Sequence, residues 1–253
     1  MEYKNKTQAR KLTGISYLGS VNLTTKHQKA YEYDEMTYSL YLAPAKSSGY
    51  EVCSMRNEEC TILCLNESGL NTMNMNDDKI NKSRITKTKL FFENREFFMR
   101  WLIDEIKSAK KKAEKLGYHF SVRLNNTSDI SPESFYVDEG GKKLNVLQLF
   151  PDTMFYDYTK VDNRIKLLEK YKNYDITFSF SGYNFDKCMT MLENNVRVAV
   201  VFKKGLPETF WGYKVIDGDL YDMRYRDEGN VIVGLKFKRV RNKLEKNYKF
   251  VVQ

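Results

Sequence analysis

The chain has 253 residues, enough for one large α/β domain or two small ones, and 42% of them are hydrophobic, ample for a buried core. Lys and Arg number 42 against 33 Asp and Glu, a net charge of +9 that suits a polyanionic partner such as a nucleotide or nucleic acid. No apolar run approaches a membrane span, and the start, Met1-Glu2-Tyr3-Lys4-Asn5-Lys6, lacks a signal segment, so no membrane partner and a cytoplasmic setting are expected.

In chain order, residues 1–11 are polar, and Thr37 to Ala43 alternates like a strand that Pro44 stops. The next segment holds three of the four cysteines, Cys53, Cys60 and Cys64, as Cys-x6-Cys-x3-Cys. If Cys60 to Asn66 is helical, Cys60 and Cys64 share a face and Cys53 closes in from the preceding loop, so these three are the expected metal ligands. A reducing compartment favours thiolates over cystines. An iron–sulfur cluster with an open iron is the first expectation. Zinc completed by Cys188, a histidine or a carboxylate is an alternative, as is a trio of small buried hydrophobes with no metal. His27 and His119 are the only histidines, which leaves histidine-dependent nucleophile schemes little support.

Asn71 to Thr88 is polar and reads as a loop or ragged helix. A long helix follows from Asn94 to Leu116, with Phe97, Phe98, Trp101, Leu102, Ile106 and Ala109 at three- and four-residue steps and Gly117 as the stop. Its Lys107 to Lys115 end reads as a solvated face. Beyond it, short β-rich runs alternate with helical ones. The strands are expected at Phe120 to Leu124, Thr153 to Asp157, Ile176 to Phe180, Val196 to Phe202, Tyr213 to Ile216 and Val231 to Phe237, and the helices at Leu144 to Phe150, Val161 to Tyr171 and Phe185 to Glu193. This alternation predicts a mostly parallel α/β sheet, (β/α)-barrel-like, with an open doubly wound sheet as the alternative. One domain is expected, with residues 1–90 as a cysteine-bearing portion and 91–253 as β/α repeats. No glycine-rich dinucleotide or P-loop motif is present.

In parallel architectures, functional groups collect at the carboxyl ends of strands. Arg123, Asn125, Asp129, Asp157, Lys160, Asp217 and Asp219 are therefore the candidate catalytic residues, and Ser179, Ser181, Lys203 and Arg224 the candidates for holding a ligand. The cations would meet a phosphate or carboxylate, while the aspartates, with Asp222, would serve as bases or bind Mg2+ in a hydrolase. Ordinary solvated strand ends and Asp-Gly turns account for the same residues without function, and Arg224 beside these aspartates also suits an internal ion-pair network. The basic run Lys236 to Lys243 alternates like a strand with one charged face.

The segments Ile15-Ser16-Tyr17-Leu18-Gly19-Ser20-Val21-Asn22, Tyr41-Leu42-Ala43-Pro44, Cys60-Thr61-Ile62-Leu63-Cys64-Leu65-Asn66, Arg123-Leu124-Asn125-Asn126-Thr127-Ser128-Asp129-Ile130, Tyr156-Asp157-Tyr158-Thr159-Lys160, Leu206-Pro207-Glu208-Thr209-Phe210 and Val215-Ile216-Asp217-Gly218-Asp219 resemble a family of bacteriophage and mobile-element proteins, gene product eighty-eight-like. The resemblance covers most of the chain and implies a phage protein acting in the host cytoplasm. A cysteine triplet ahead of an α/β region also looks, in arrangement only, like radical-S-adenosylmethionine enzymes, which brings S-adenosylmethionine in as a possible cofactor. Those enzymes space their cysteines Cys-x3-Cys-x2-Cys, unlike this chain. Three functions follow as expectations: an iron–sulfur or metal-dependent enzyme acting on a nucleotide or nucleic acid, a non-catalytic binder of nucleic acid or a nucleotide signal, as in counter-defence, or a Mg2+-dependent hydrolase using the strand-end aspartates.

Overall fold

Among the described residues the longest helix is the 22-residue Arg95–Leu116, and its composition explains both its stability and its placement. Phe97, Phe98, Trp101, Leu102 and Ile106 fall on one face and are buried, Trp101 and Ile106 completely. Gly117 ends it in the left-handed region at φ 77°, its N–H returning to the carbonyls of Ala113 and Glu114. Asn94 takes the N-cap position without a side-chain cap bond. The computed structural model describes residues 1–21, 25–64, 78–238 and 248–253, and these divide into two units.

The first unit comprises Met1–Cys53 and Lys79–Phe155. Its strands β1 (Gly19–Ser20), β2 (Glu35–Leu40) and β3 (His119–Arg123) lie in that order, β1 antiparallel to β2 and β2 parallel to β3. Every residue of β2 is buried, as expected for a parallel strand covered on both faces. A hairpin of β4 (Tyr136–Glu139) and β5 (Lys142–Asn145) stands apart, turning on Gly140 and Gly141, both at positive φ. It replaces the start of the helix expected over Leu144 to Phe150, of which only Val146–Leu149 is helical. Met154 and Phe155, the first residues of β6 (Met154–Thr159), pair with Ser121 and Val122 of β3.

A 16-residue helix, Asp78–Glu93, forms where a loop or ragged helix was expected, and its buried residues include Arg84, Lys87, Thr88, Leu90 and Phe91. Residues 65–77, which include the expected loop's start and the end of the Cys60 to Asn66 helix, lie outside the described residues. The same holds for 239–243 of the basic run.

The second unit comprises Ser54–Asp78 and Tyr156–Gln253. The remainder of β6 neighbours β7 (Tyr174–Ser179), followed in order by β8 (Arg197–Phe202), a later strand β11, β10 and β9. Here β9 is Thr209–Phe210, β10 Tyr213–Asp217, β11 Ile232–Lys236 and β12 Val251–Val252. Strands β7, β8, β11 and β10 are all parallel, so their carboxyl ends share one edge. Central β8 reads Arg-Val-Ala-Val-Val-Phe with Val198 and Val200 completely buried. β7 leaves β8 after Ala199, and β12 takes the vacated side, pairing Val251 with Val201 and Val252 with Phe202. The Phe185–Glu193 helix packs on β7 and β8 through Cys188, Met191 and Leu192. The helix expected over Val161 to Tyr171 is a 3-10 turn, Asp162–Arg164, running into Ile165–Lys170.

The class is thus mixed α/β with mostly parallel strand pairing. Among the described residues neither unit closes its strands on itself, and each by itself has the order of an open sheet. The two units also cut the chain differently from the expected 1–90 and 91–253 portions: each combines an early and a late segment.

Candidate functional site at the strand ends of the second unit

Parallel pairing brings Ser179, Phe202, Lys236 and Asp217, the last residues of β7, β8, β11 and β10, to the same edge. Lys160 and Lys203 directly follow β6 and β8, and Ser181 lies two residues beyond β7. Lys203 is exposed; its N–H donates to the Val252 carbonyl at 2.9 Å and its Nζ to Gln253 Oε1 at 3.1 Å. Lys160 places Nζ 5.8 Å from the Phe250 ring centre. Ser181 is held by its backbone: its N–H donates to Asn184 Oδ1 and its carbonyl accepts from Asn57 Nδ2, both at 2.8 Å. The Ser179 carbonyl accepts from Asn184 Nδ2 at 3.0 Å.

Asp217 and Asp219 reach this edge already engaged. The Asp219 N–H donates to Asp217 Oδ1 at 2.8 Å, and the Lys236 N–H to Asp219 Oδ2 at 2.9 Å. Lys236 Nζ lies 3.2 Å from Asp217 Oδ2 and Lys238 Nζ 3.8 Å from Asp219 Oδ1. The pair therefore tethers the turn after β10 to the end of β11.

Three other expected residues are elsewhere in this unit. Asp157 lies inside β6, 2% exposed, accepting from the Tyr174 hydroxyl at 3.2 Å, whose oxygen accepts from Arg164 Nη1 at 3.3 Å. Asp222 is buried and accepts from the Tyr156 hydroxyl at 3.5 Å. Arg224 is 1% exposed: Nη1 stands 3.1 Å from Asp227 Oδ2, Nη2 donates to the Tyr221 carbonyl at 2.6 Å, and the guanidinium lies over the Tyr221 ring. Both Asp222 and Arg224 are thus sealed among neighbours of the same unit.

The remaining candidates belong to the first unit. Arg123 ends β3, and Asn125, 2% exposed, organises the following turn, its Oδ1 accepting from Ser128 Oγ and the Ile130 N–H and its Nδ2 donating to the Ile130 carbonyl, all at 2.9 Å. The Asp129 N–H donates to the Val52 carbonyl at 2.7 Å.

None of the four cysteines is in a disulfide, and they divide between the units, with Cys53 in the first and Cys60, Cys64 and Cys188 in the second. Cys53 Sγ approaches the Thr127 carbonyl at 4.0 Å. Cys60 sits on the short helix Glu58–Ile62, capped by Asn57, whose Oδ1 accepts from the Cys60 N–H at 2.7 Å. Among the described residues no group of three or more His, Cys, Asp or Glu is arranged to hold a metal ion. Cys188 is completely buried, and burial pushes its thiol up to about 12 against the smaller opposing pull of Lys160, so it stays protonated near neutrality.

Sequence reasoning missed the aromatic half of this edge. Trp211 turns from β9 into β10 at φ 55° and meets Phe180 and Phe185 edge-on, each at 5.0 Å, and Phe210 at 4.5 Å; Phe210 in turn meets Phe202 at 5.1 Å. Tyr183 and Phe185 remain exposed, at 60% and 46%. The Tyr183 hydroxyl donates to Glu59 Oε1 at 2.8 Å, and Lys249 Nζ lies 4.9 Å from its ring. Glu59 Oε2 also accepts from the Phe250 N–H at 2.7 Å, pinning the cysteine-bearing helix to the segment before β12. The signal available was the Phe180, Tyr183, Phe185 spacing and the Phe-Trp-Gly turn, set beside Lys203, Lys204 and Lys249.

An α/β protein with a basic and aromatic strand-end edge is what this geometry defines. The model of the family described as Gene product 88 matches residues 4–252, and the chain belongs to that family of phage proteins. No match was found among curated proteins or among solved structures. The arrangement-level likeness to radical-S-adenosylmethionine enzymes finds no support in the family match.

Proposed function

We propose that the strand-end edge of the second unit binds a nucleotide or nucleic acid without needing a catalytic group. The observation that carries this reading is the joining of exposed Lys203, Lys204 and Lys249 with the Trp211, Phe185 and Tyr183 rings on one edge. Lysines supply sequence-independent attraction to phosphates, and aromatic rings stack on bases at about 1–3 kcal/mol each. The aspartates expected to do hydrolysis, Asp217 and Asp219, have lysine partners instead, which suits a rigid rim. The working compartment we infer is the host cytoplasm, where the four thiols stay reduced.

The test is anisotropy of a fluorescein-labelled single-stranded oligonucleotide across a NaCl series. Binding should weaken with a log–log slope of about −0.7 per phosphate contacted, and Lys203→Glu should weaken it further. Affinity indifferent to salt, or no binding at low salt, overturns the reading.

A second reading rests on Cys60 and Cys64, two half-buried cysteines outside any disulfide near this edge. It makes them ligands of an iron–sulfur cluster or zinc, with further ligands from elsewhere. Anaerobic purification with iron and zinc analysis decides it: stoichiometric metal lost in Cys60→Ser supports the reading, and metal-free wild-type protein removes it.

A further inference from the structure

The net charge of the chain is concentrated in two short segments. Residues 4–11 carry Lys4, Lys6, Arg10 and Lys11 with no carboxylate among them, and residues 107–115 carry five lysines against Glu114 alone. These segments therefore hold eight of the nine net positive charges, and both belong to the first unit.

The fold lays them side by side. The helix Lys6–Thr13 runs along the Arg95–Leu116 helix in the same direction. The Met1 amino group donates to Asn94 Oδ1 at 3.1 Å, the Tyr3 ring meets Phe97 edge-on at 5.5 Å and its hydroxyl donates to Asp104 Oδ2 at 2.7 Å. Next along, Lys6 Nζ donates to Ser108 Oγ at 2.6 Å. One turn further, the same two faces bear Arg10, four residues after Lys6, and Lys111, Lys112 and Lys115, which continue the Asp104–Ser108 row at three- and four-residue steps. All four of these cations are exposed. The carboxylates just ahead of Lys107 are engaged, Asp104 with Tyr3 and buried Glu105 with the Leu18 and Gly19 N–H groups and the Tyr38 hydroxyl. Glu2, beside Met1, lies toward the Asn94 end.

Helix electrostatics does not account for this row. The macrodipole favours cations in the last turn only, which covers Arg10, Lys11 and Lys115 but not Lys4, Lys6, Lys107 or Lys110 to Lys112. Lys6 with Arg10, Lys107 with Lys111 and Lys111 with Lys115 are like charges four residues apart, each pair mildly destabilising to its helix. An extended anion laid along the row relieves that repulsion.

We infer that this helix pair binds the phosphate backbone of a nucleic-acid duplex, whatever its sequence. The row from Lys107 to Lys115 is about 12 Å long at about 1.5 Å per residue, a length over which duplex DNA presents about seven phosphates. Neither segment contains an aromatic residue, so the surface offers charge without stacking, unlike the strand-end edge of the second unit. Of the large apolar residues in the two helices only Leu12 and Leu116 are exposed, little to insert into a lipid surface. Binding here needs nothing from the strand-end edge.

The test is fluorescence anisotropy of two short fluorescein-labelled duplexes of unrelated sequence, titrated with the full chain across a NaCl series. Both should bind at low salt with equal affinity. Lys111→Gln/Lys112→Gln should weaken both about tenfold or more and reduce the log–log salt slope by about 2, near 0.9 for each phosphate contact removed. Arg10→Gln, on the other helix, should reduce it by about 1. Lys142→Gln/Lys143→Gln, an equal loss of charge on the β4–β5 hairpin, should bind as wild type does. No duplex binding by wild type, unchanged affinity in the helix variants, or an equal loss in the hairpin variant overturns the site. Vesicles of phosphatidylserine and phosphatidylcholine bound more tightly than duplex at the same salt would assign a membrane surface and overturn it as well.

Discussion

Arg197 at the start of β8 and Asp175 in β7 face each other across paired strands, the guanidinium Nη2 contacting both carboxylate oxygens while Nη1 donates to the Asp227 carbonyl at 2.8 Å. The arginine side chain is 8% exposed and the aspartate 22%. Burial raises the Asp175 carboxyl above its ordinary range and Arg197 opposes the rise.

Removing one partner of such a pair strands the other. Arg197→Met should therefore cost about 3 kcal/mol in urea unfolding at pH 7, and Asp175→Asn in the same chain should recover much of it. With the cation gone, the carboxyl rises further, so the folded state holds a proton that the unfolded chain has released. The deficit of Arg197→Met should then shrink as pH falls toward 4. A deficit independent of pH would show that Asp175 is not its source.

Lys87 gives the opposite dependence. A drop from 10.5 to about 8 corresponds to roughly 3 kcal/mol of destabilisation below pH 8. Between about 8 and 10.5 the unfolded chain keeps the proton that the folded chain has lost, so this residue's contribution to stability rises with pH through that window. Lys87→Met should match or exceed wild type at pH 7 in chloride, with its advantage fading toward pH 10. A lower Tm for the variant under those conditions would contradict a destabilising burial of the ammonium.

Glu105 is the acceptor for two backbone amides and a hydroxyl in the first unit. Glu105→Ala leaves the Leu18 and Gly19 N–H groups buried without partners and should cost about 3 kcal/mol or more. Tyr38→Phe removes one donor and should cost about 1–2 kcal/mol. Similar losses in the two variants, measured by denaturant unfolding, would place the weight on the hydroxyl instead of the amides.

Gly182 follows β7 at φ 88°, and a Cβ there would stand 2.7 Å from the Lys249 carbonyl carbon and the Phe250 nitrogen. Neither neighbour is a flexible side-chain end. Gly182→Ala should therefore lower the Tm and, by displacing Lys249, weaken oligonucleotide binding at the strand-end edge. Unchanged binding in a folded variant would separate Lys249 from that surface.

The elements easiest to foresee are those whose reasons are local. Phe97 to Ile106 at helical steps, and Val198 to Val201 as an apolar run, need no distant partner to be recognised. The β4–β5 hairpin was also written locally, in Glu139-Gly140-Gly141-Lys142, but the apolar Val146 to Leu149 beyond it drew the reading toward a helix. Buried charge was the main blind spot. Glu105 and Lys87 look like solvated helix residues until Leu18, Gly19 and Tyr17 arrive from some seventy or more positions away. Of the expected strand-end residues, Ser179, Ser181, Lys203 and Asp217 lie at the carboxyl edge of the second unit's strands. Asp157, Asp222 and Arg224 are buried instead, and burial inside a polar network leaves no trace in periodicity.

Strand order in the second unit carries one more consequence, for the time course of folding. β9 and β10 can close on each other as a short local hairpin, but β10 reaches β8 only across β11, which lies some 30 residues beyond β8 in sequence. The hairpin must wait undocked while β8 and β11 find each other. Closing that loop is a non-local, entropically expensive step. Mutations that weaken the β8–β11 seam, such as Val198→Ala beside Ile232, should slow refolding more than they speed unfolding, whereas those in the hairpin should do the reverse.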